Sequence, residues 1–302
     1  MTTIPFVDAH IHLWDLDHIR YPWLTGPFDD AGPNGSAEAI ARHYGVADYR
    51  AELARWNVVG AVHIDAGADA AHALRETAWL EAQAATYGLP TAIVAYAALE
   101  EAQADAALGA QAAHGGVRGI RQIVNWHADA QRTYTSRDLT VDPAWQAGFA
   151  LLAKHELSFD LQCYPRQMPA LASLFARHPD VPVVINHLGM PVMSDPDGLA
   201  DWRRGMSALA ALPQVAVKLS GLGFVWRDWS LERVRPVLLE TIDLFGTDRC
   251  LFASDAPTDR LFAPIDWYME AYQAVTSGCS EDERRGLFGR NADRVYRLGL
   301  GI

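Results

Sequence analysis

The sequence is poor in lysine, cysteine and basic charge, and each shortage excludes a class of protein. Lys154 and Lys218 are its only lysines, so few side chains can form a Schiff base or bridge two metal ions. The three cysteines include no Cys-X-X-Cys pair, which predicts reduced thiols and a cytoplasmic protein. A formal net charge of −12 and a pI near 5.3 argue against a nucleic-acid partner.

Long apolar segments and targeting signals are also missing. No apolar stretch approaches the roughly 20 residues that a membrane-spanning helix requires, and residues 1–6 lack the basic start and apolar run of a signal peptide. The glycine-rich fingerprint of dinucleotide-binding proteins does not follow the first predicted strand. We therefore expect a protein without a membrane contact and without an organic cofactor.

The sequence does contain a regular alternation of short β-type runs and long Ala/Leu-rich segments such as 73–88 and 232–246. Strands that alternate with helices predict parallel βαβ units, and eight units predict a (β/α)8 TIM barrel, one domain over residues 1–302. An open doubly wound sheet is the competing fold, which the missing fingerprint disfavours. The eight runs are 6–14, 58–67, 91–99, 116–125, 157–165, 181–189, 215–223 and 250–257.

The first crossover, residues 15–57, is much longer than the others and contains a segment rich in Gly, Pro and aromatic residues. In a barrel, the loops that follow the strands form the active-site face. This long first βα loop is therefore predicted to be a lid or a pocket wall. A surface excursion packed by its own aromatic residues is the alternative.

The first run, FVDAHIHLW, alternates apolar residues with Asp8, His10 and His12. Side chains of a strand alternate between two faces, so we expect these three on one face, which indicates a metal site or acid–base chemistry. His63, within an apolar strand, is interpreted as structural. Further polar residues follow the other strands, and a barrel brings them to one rim: Arg121, Asn125, Gln162, Tyr164, Asn186, His187, Lys218, Ser220, Ser254 and Asp255.

Six motifs, DAHIHLWD, YPWL, VRGIRQI, INHLG, KLSGL and FASDAP, stand in this order between residues 6 and 257. The set resembles the amidohydrolase superfamily (amidohydrolase-2 type), in its branch of sugar lactonases and pyrone dicarboxylate lactonases, and most of all the L-fuconolactonase type. The resemblance implies that the His-X-His pair is His10 and His12, that His187 is the strand-six histidine and that Asp255 is the strand-eight aspartate. These four are the expected catalytic residues.

Two departures from the superfamily pattern bear on metal binding. Gln162 or Tyr164 stands where the wider superfamily has a strand-five histidine ligand, and strand four lacks the bridging lysine or glutamate. The resemblance therefore implies either no required cofactor or one divalent metal, with zinc favoured. In the second case His10, His12 and Asp255 would be the ligands.

The resemblance implies hydrolysis of a small sugar lactone to the aldonic acid. We expect Asp255 to act as general base on water and then to carry the proton to the leaving oxygen. The three histidines would polarise the carbonyl, directly or through the metal. Candidate substrate contacts are Arg121, Trp14, Trp23, Tyr164, Trp126 and His127.

Other interpretations remain open on the sequence. A metal-dependent decarboxylase of an aromatic or muconate-type acid shares the His-X-His pair and the strand-eight aspartate. A sugar-binding barrel without catalysis is the alternative from another class. The arginines are too few for a dicarboxylate substrate, which favours a neutral sugar lactone. We expect a monomer or a small homo-oligomer.

Overall fold

Residues 4–302 are described by a computed structural model, whose centre is one sheet of eight parallel strands. Each strand pairs with the next in sequence, and Ile11 also bridges in parallel to Ala256, so the sheet closes into a barrel. The predicted (β/α)8 barrel is confirmed. The strands are β1 (Phe6–Ile11), β2 (Val58–Ile64), β3 (Ala92–Tyr96), β4 (Val117–Arg121), β5 (Ser158–Leu161), β6 (Val183–Ile185), β7 (Val215–Leu219) and β8 (Cys250–Phe252).

Helices follow the strands and cover the outside of the barrel. Their ends carry the expected signals: the Ser230 side chain accepts the Arg233 N–H at the start of one helix, and Gly88 at φ 76° ends another. The helices are α1 (Val46–Glu52), α2 (Ala73–Tyr87), α3 (Ala104–Ala112), α4 (Pro143–Leu151), α5 (Met168–Phe175), α6 (Gly198–Ala210), α7 (Leu222–Val225), α8 (Leu231–Phe245), α9 (Ile265–Val275), α10 (Glu281–Arg285) and α11 (Asn291–Val295).

Two apolar layers hold the barrel together. A large outer layer lies between strands and helices. A small inner layer is formed by side chains of every strand except β4 and β5, together with Tyr296. Burying these side chains provides the main stabilisation. Within residues 4–302, no helix is both long and apolar enough to cross a membrane.

The strands are shorter than the predicted runs. Several polar residues of the rim lie beyond their ends, whereas Arg121 and Lys218 lie within β4 and β7. His187 lies two residues after β6, and Asp255 lies three residues after β8. These side chains therefore project from loops at the carboxyl ends of the strands, which is the active-site face of a barrel.

Candidate active site

Asp8 lies on the outer side of β1, so the expectation that it shares a face with His10 and His12 is wrong. The apolar residues on either side of it pack in the barrel interior, whereas its carboxylate accepts the hydroxyl of Tyr49 in α1 at 3.0 Å. The pairing register between β1 and β2 shifts after Asp8. Such a bulge re-aims the side chains that follow it, and it turns the histidines into the barrel mouth.

His10, His12 and Asp255 form a compact buried cluster. The two histidine Nε2 atoms are 3.1 Å apart, and Asp255 Oδ1 lies 3.4 Å from each of them. His12 Nδ1 donates to the carbonyl of Ile64 at 2.7 Å, which leaves its Nε2 with a lone pair. Burial lowers the pKa of both imidazoles well below the ordinary range, and nearby Lys218 adds to this effect at His10. Both rings are therefore neutral.

His187 and Asp255 complete the cluster. The His187 ring centre lies 4.7 Å from that of His10, and its Nδ1 is 3.1 Å from Ser220 Oγ. Burial lowers the pKa of His187 to about 4 and raises that of Asp255 to about 6, with His187 and Arg121 opposing the second shift. Within the described residues, neither Asp255 carboxylate oxygen has a hydrogen-bond partner.

The backbone at this cluster is unusual. His187 and Asp255 have φ values of 52° and 54°, in the left-handed region that side chains other than glycine rarely adopt. Gly221, at φ 65°, supports His187 from behind, and a Cβ on it would lie 2.4 Å from His187 Nδ1. Strain of this kind collects at functional sites, where the surrounding structure holds it.

A cavity of about 230 Å³ opens above the cluster. It is smaller than the roughly 300–1,000 Å³ of typical drug-sized ligand sites, so it suits a small ligand. A wider vestibule of about 1000 Å³ shares Tyr134, Met190 and Phe224 with it. The cavity is lined by His12, Trp23, Asn34, Ala66, Gly67, Arg121, Ile123, Tyr134, Gln162, His187, Met190, Phe224, Asp255 and Thr258.

The long first βα loop forms one wall of this cavity. Trp23 is fixed there because its indole N–H donates to the carbonyl of Ala66 at 2.7 Å. Asn34 lies in the same loop and is held by Tyr134 of the loop after β4, whose hydroxyl donates to Asn34 Oδ1 at 2.6 Å. The geometry thus agrees with the pocket-wall prediction.

Arg121 is the arginine of β4 that turns inward, whereas Arg118 binds backbone carbonyls nearby. Arg121 donates to Gln162 Oε1 at 3.2 Å and to the backbone carbonyl of Asp65, whose carboxylate lies 3.5 Å from its Nε. Arg121 is thus hydrogen-bonded to Gln162, one of the two residues that could stand at the strand-five position of the superfamily's histidine ligand.

Four predicted substrate contacts lie elsewhere. Trp14 is fully buried and packs edge-on against Trp23. Its indole N–H donates to the Arg42 carbonyl. Trp126, His127 and Tyr164 line a separate cavity of about 390 Å³ at the outer rim. Tyr164 also lines the wider vestibule, and its hydroxyl donates to the Arg132 carbonyl. His63 accepts the Leu13 N–H at 3.1 Å, a contact typical of a structural histidine, while its Nε2 has no partner within the described residues.

The separation of the three donor atoms fits a divalent metal. Two ligands at the zinc distance of about 2.0–2.1 Å and tetrahedral angles lie about 3.4 Å apart, which matches the 3.1–3.4 Å between His10, His12 and Asp255. His187 also offers a nitrogen within 4.8 Å of its neighbours His10 and Asp255. A zinc ion held there would polarise a carbonyl and acidify a bound water.

Several site residues escaped prediction. Asn34, Tyr134 and Met190 come from loops, Phe224 from α7 and Thr258 from a short 3-10 helix, and no local pattern marks them. The paired hydroxyl and amide of the first two are 100 residues apart in sequence. Charged residues inside the apolar runs SFDL and VAVKL were the available signals for further buried groups, Asp160 and Lys218.

Comparisons with known proteins agree with this geometry. An L-fucono-1,5-lactonase of Burkholderia multivorans is 30% identical over 97% of this chain and 96% of its own. The protein y4mH of Sinorhizobium fredii is 39% identical over 99% of this chain and 100% of its own. A crystal structure of an amidohydrolase from Burkholderia multivorans with bound zinc superposes with a TM-score of 0.79 at 27% identity, covering 97% of this chain and 99% of the other.

The amidohydrolase family (Amidohydro_2) matches residues 7–298, which include all of the eight strands except Phe6 and all four residues of the cluster. On this match, the chain belongs to the amidohydrolase family.

Proposed function

We propose that this protein is a lactonase that opens the ester ring of a small neutral sugar lactone, similar to L-fuconolactone, to the aldonic acid. The observation that carries the proposal is the Asp255 carboxylate, which is 1% exposed and has no hydrogen-bond partner within the described residues. A buried charge without partners is costly, so this group is available for a ligand or a water.

Asp255 is suited to be the general base. Burial raises its pKa to about 6, so at neutral pH it is ionised and yet more basic than an exposed aspartate, which favours proton transfer. It takes a proton from water as the water oxygen attacks the lactone carbonyl carbon. It then gives that proton to the ring oxygen as the C–O bond breaks, and the open-chain acid is released.

His187, a neutral histidine that lines the cavity, would stabilise the carbonyl oxygen during this attack, because an N–H aimed at the developing oxyanion lowers the barrier. His12 offers no N–H there, since its Nδ1 donates to the Ile64 carbonyl. Arg121 lines the same cavity and adds positive potential. If zinc is bound, the ion supplies the polarisation instead.

The cavity favours a neutral substrate over a dicarboxylate. Arg121 is the one lysine or arginine among the residues that line it, within the described part of the chain, and Asp65 and Gln162 already hold its guanidinium. Trp23 and Phe224 give the cavity aromatic walls, and such walls suit the apolar faces of a sugar ring. The lactonase relatives support the same substrate class.

A panel of sugar lactones and pyrone dicarboxylate, followed by proton release with chelator-treated protein, tests the proposal. We expect the highest kcat/KM with a six-carbon neutral lactone. Added zinc or manganese provides a second arm, and activity only in that arm would make the histidines and Asp255 ligands. If the protein hydrolyses no lactone in either arm and releases carbon dioxide from an aromatic acid, it is a decarboxylase and the lactonase proposal is wrong.

A further inference from the structure

Lys218 lies directly beneath the histidine pair and has no part in the proposed reaction. It is wholly buried in β7, and its Nζ donates to Asp160 Oδ2 at 2.8 Å. The Tyr296 hydroxyl lies 2.8 Å from one oxygen of the same carboxylate and 2.9 Å from the other. Asp160 therefore has two donors. Burial lowers the pKa of Lys218 to about 8, and the Asp160 carboxylate opposes this shift, so Lys218 is mainly an ammonium at pH 7.

The same ammonium lies 3.3 Å from His10 Nδ1. An ammonium has hydrogens to donate and no lone pair, so His10 Nδ1 is the acceptor and the proton of the neutral ring sits on Nε2. His12 has the opposite tautomer, because its Nδ1 donates to the Ile64 carbonyl. The Nε2–H of His10 then points at the Nε2 lone pair of His12, 3.1 Å away.

The contacts thus form one directional chain, from Lys218 through His10 and His12 to a backbone carbonyl. From this chain we infer that Lys218 is a positioning residue that holds the ring proton of His10 on Nε2, and that it thereby weakens metal binding at the His10, His12 and Asp255 cluster.

The reason lies in the needs of a ligand histidine. A histidine that binds a metal through Nε2 needs a lone pair there, and its other ring nitrogen then donates to a carboxylate or a carbonyl. His12 meets this condition, since Ile64 supplies the carbonyl. His10 does not, because its Nδ1 faces a donor.

The test uses zinc alone as the probe and needs no lactone. The double variant Lys218→Met/Asp160→Asn removes both buried charges together, so that neither is left unpaired. The control is Tyr296→Phe, which removes one hydrogen bond from the same network and keeps the ammonium. Chelator-treated proteins are titrated with zinc by calorimetry after circular dichroism has confirmed their folding.

Changing a residue behind a metal ligand alters affinity by about 10–100-fold. We expect the double variant to bind zinc at least about tenfold more tightly than the wild type, and Tyr296→Phe to bind as the wild type does. Equal zinc affinity in the double variant and the wild type would overturn the inference.

Nitrogen-15 NMR of the histidines tests the same inference on the unmodified protein, so it stays decisive if the double variant fails to fold. We expect His10 protonated at Nε2 and His12 protonated at Nδ1. Protonation of His10 at Nδ1 would refute the role of Lys218. A wild type that hydrolyses no lactone would remove the proposed function but leave both results interpretable.

Discussion

Two aspartates are buried in the same barrel in opposite circumstances. Asp160, in β5, is 0% exposed and accepts hydrogen bonds from Lys218 and Tyr296. Asp255, beyond β8, is 1% exposed and accepts none from the described residues. Buried polar groups in folded proteins are normally hydrogen-bonded. The comparison teaches that Asp160 holds the structure, whereas Asp255 is kept free for chemistry.

The backbone repeats this contrast. Asp160 sits in a regular strand paired on both sides, whereas Asp255 sits in a loop at φ 54°. Packing in the barrel fixes the first without strain. The second persists only because its neighbours hold it, which is typical of a functional position.

The largest expected effect is on activity, from Asp255→Asn. Loss of a general base lowers the rate by about 10²–10⁴, which we expect in kcat/KM for the best lactone. The fold should not suffer. Since burial raises the pKa of Asp255 to about 6, its ionised form destabilises the folded state above that pH, and the variant should have a higher Tm than the wild type at pH 8.

The two readouts of this variant sharpen the comparison in different ways. Near-normal activity would show that Asp255 is not the base. A fall in Tm would show that Asp255 supports the structure as Asp160 does, and that the contrast between them is false. Glu100→Gln, at a partly exposed carboxylate distant in sequence from every cluster residue, is a suitable control for both measurements.

The second prediction concerns Asp160→Asn. This change leaves the Lys218 ammonium buried without a counter-ion, and breaking a buried pair typically costs about 3–5 kcal/mol. We expect the free energy of unfolding, measured by urea denaturation, to fall by that order. The additional change Lys218→Met should recover most of the loss. A single variant as stable as the wild type would contradict the structural role of Asp160.

The third prediction is a pH profile. Asp255 acts as a base only when ionised, and its pKa is raised to about 6 by burial. The kcat/KM of chelator-treated protein should therefore be level above pH 7 and fall with decreasing pH, to about one tenth of the plateau near pH 5. The residual activity of Asp255→Asn should lack this limb. A wild-type profile that stays flat down to pH 5 would contradict the assignment.

The barrel and the residues that its topology brings together could be predicted from the sequence, whereas local side-chain directions and loop contacts could not. The alternation of strands and helices predicted the barrel, and the barrel's topology predicted that His187 and Asp255 would meet the His-X-His pair, because parallel strands end on one face. The side of β1 on which Asp8 lies could not be predicted, since a bulge depends on pairing with the next strand. Nor could the cavity contacts of Asn34 and Tyr134, which only the folded loops bring together.

The smallest expected effects separate two tryptophans that the sequence treats alike. Trp23 lines the cavity above the cluster, whereas Trp126 is 38% exposed and lines the separate cavity at the outer rim. Aromatic contacts contribute about 0.5–1.5 kcal/mol beyond area burial, so Trp23→Leu should lower kcat/KM by about three- to tenfold. The matched change Trp126→Leu should leave it within about twofold of the wild type.

If Trp126→Leu lowered kcat/KM and Trp23→Leu did not, the substrate would bind in the separate cavity at the outer rim. Asp255 would then be too remote to act on the lactone. Thermal unfolding of both variants provides the control, since Trp23 packs edge-on against Trp14 and its replacement also removes that contact. A loss of kcat/KM at Trp23 that persists well below the variant's Tm therefore reports on binding and not on unfolding.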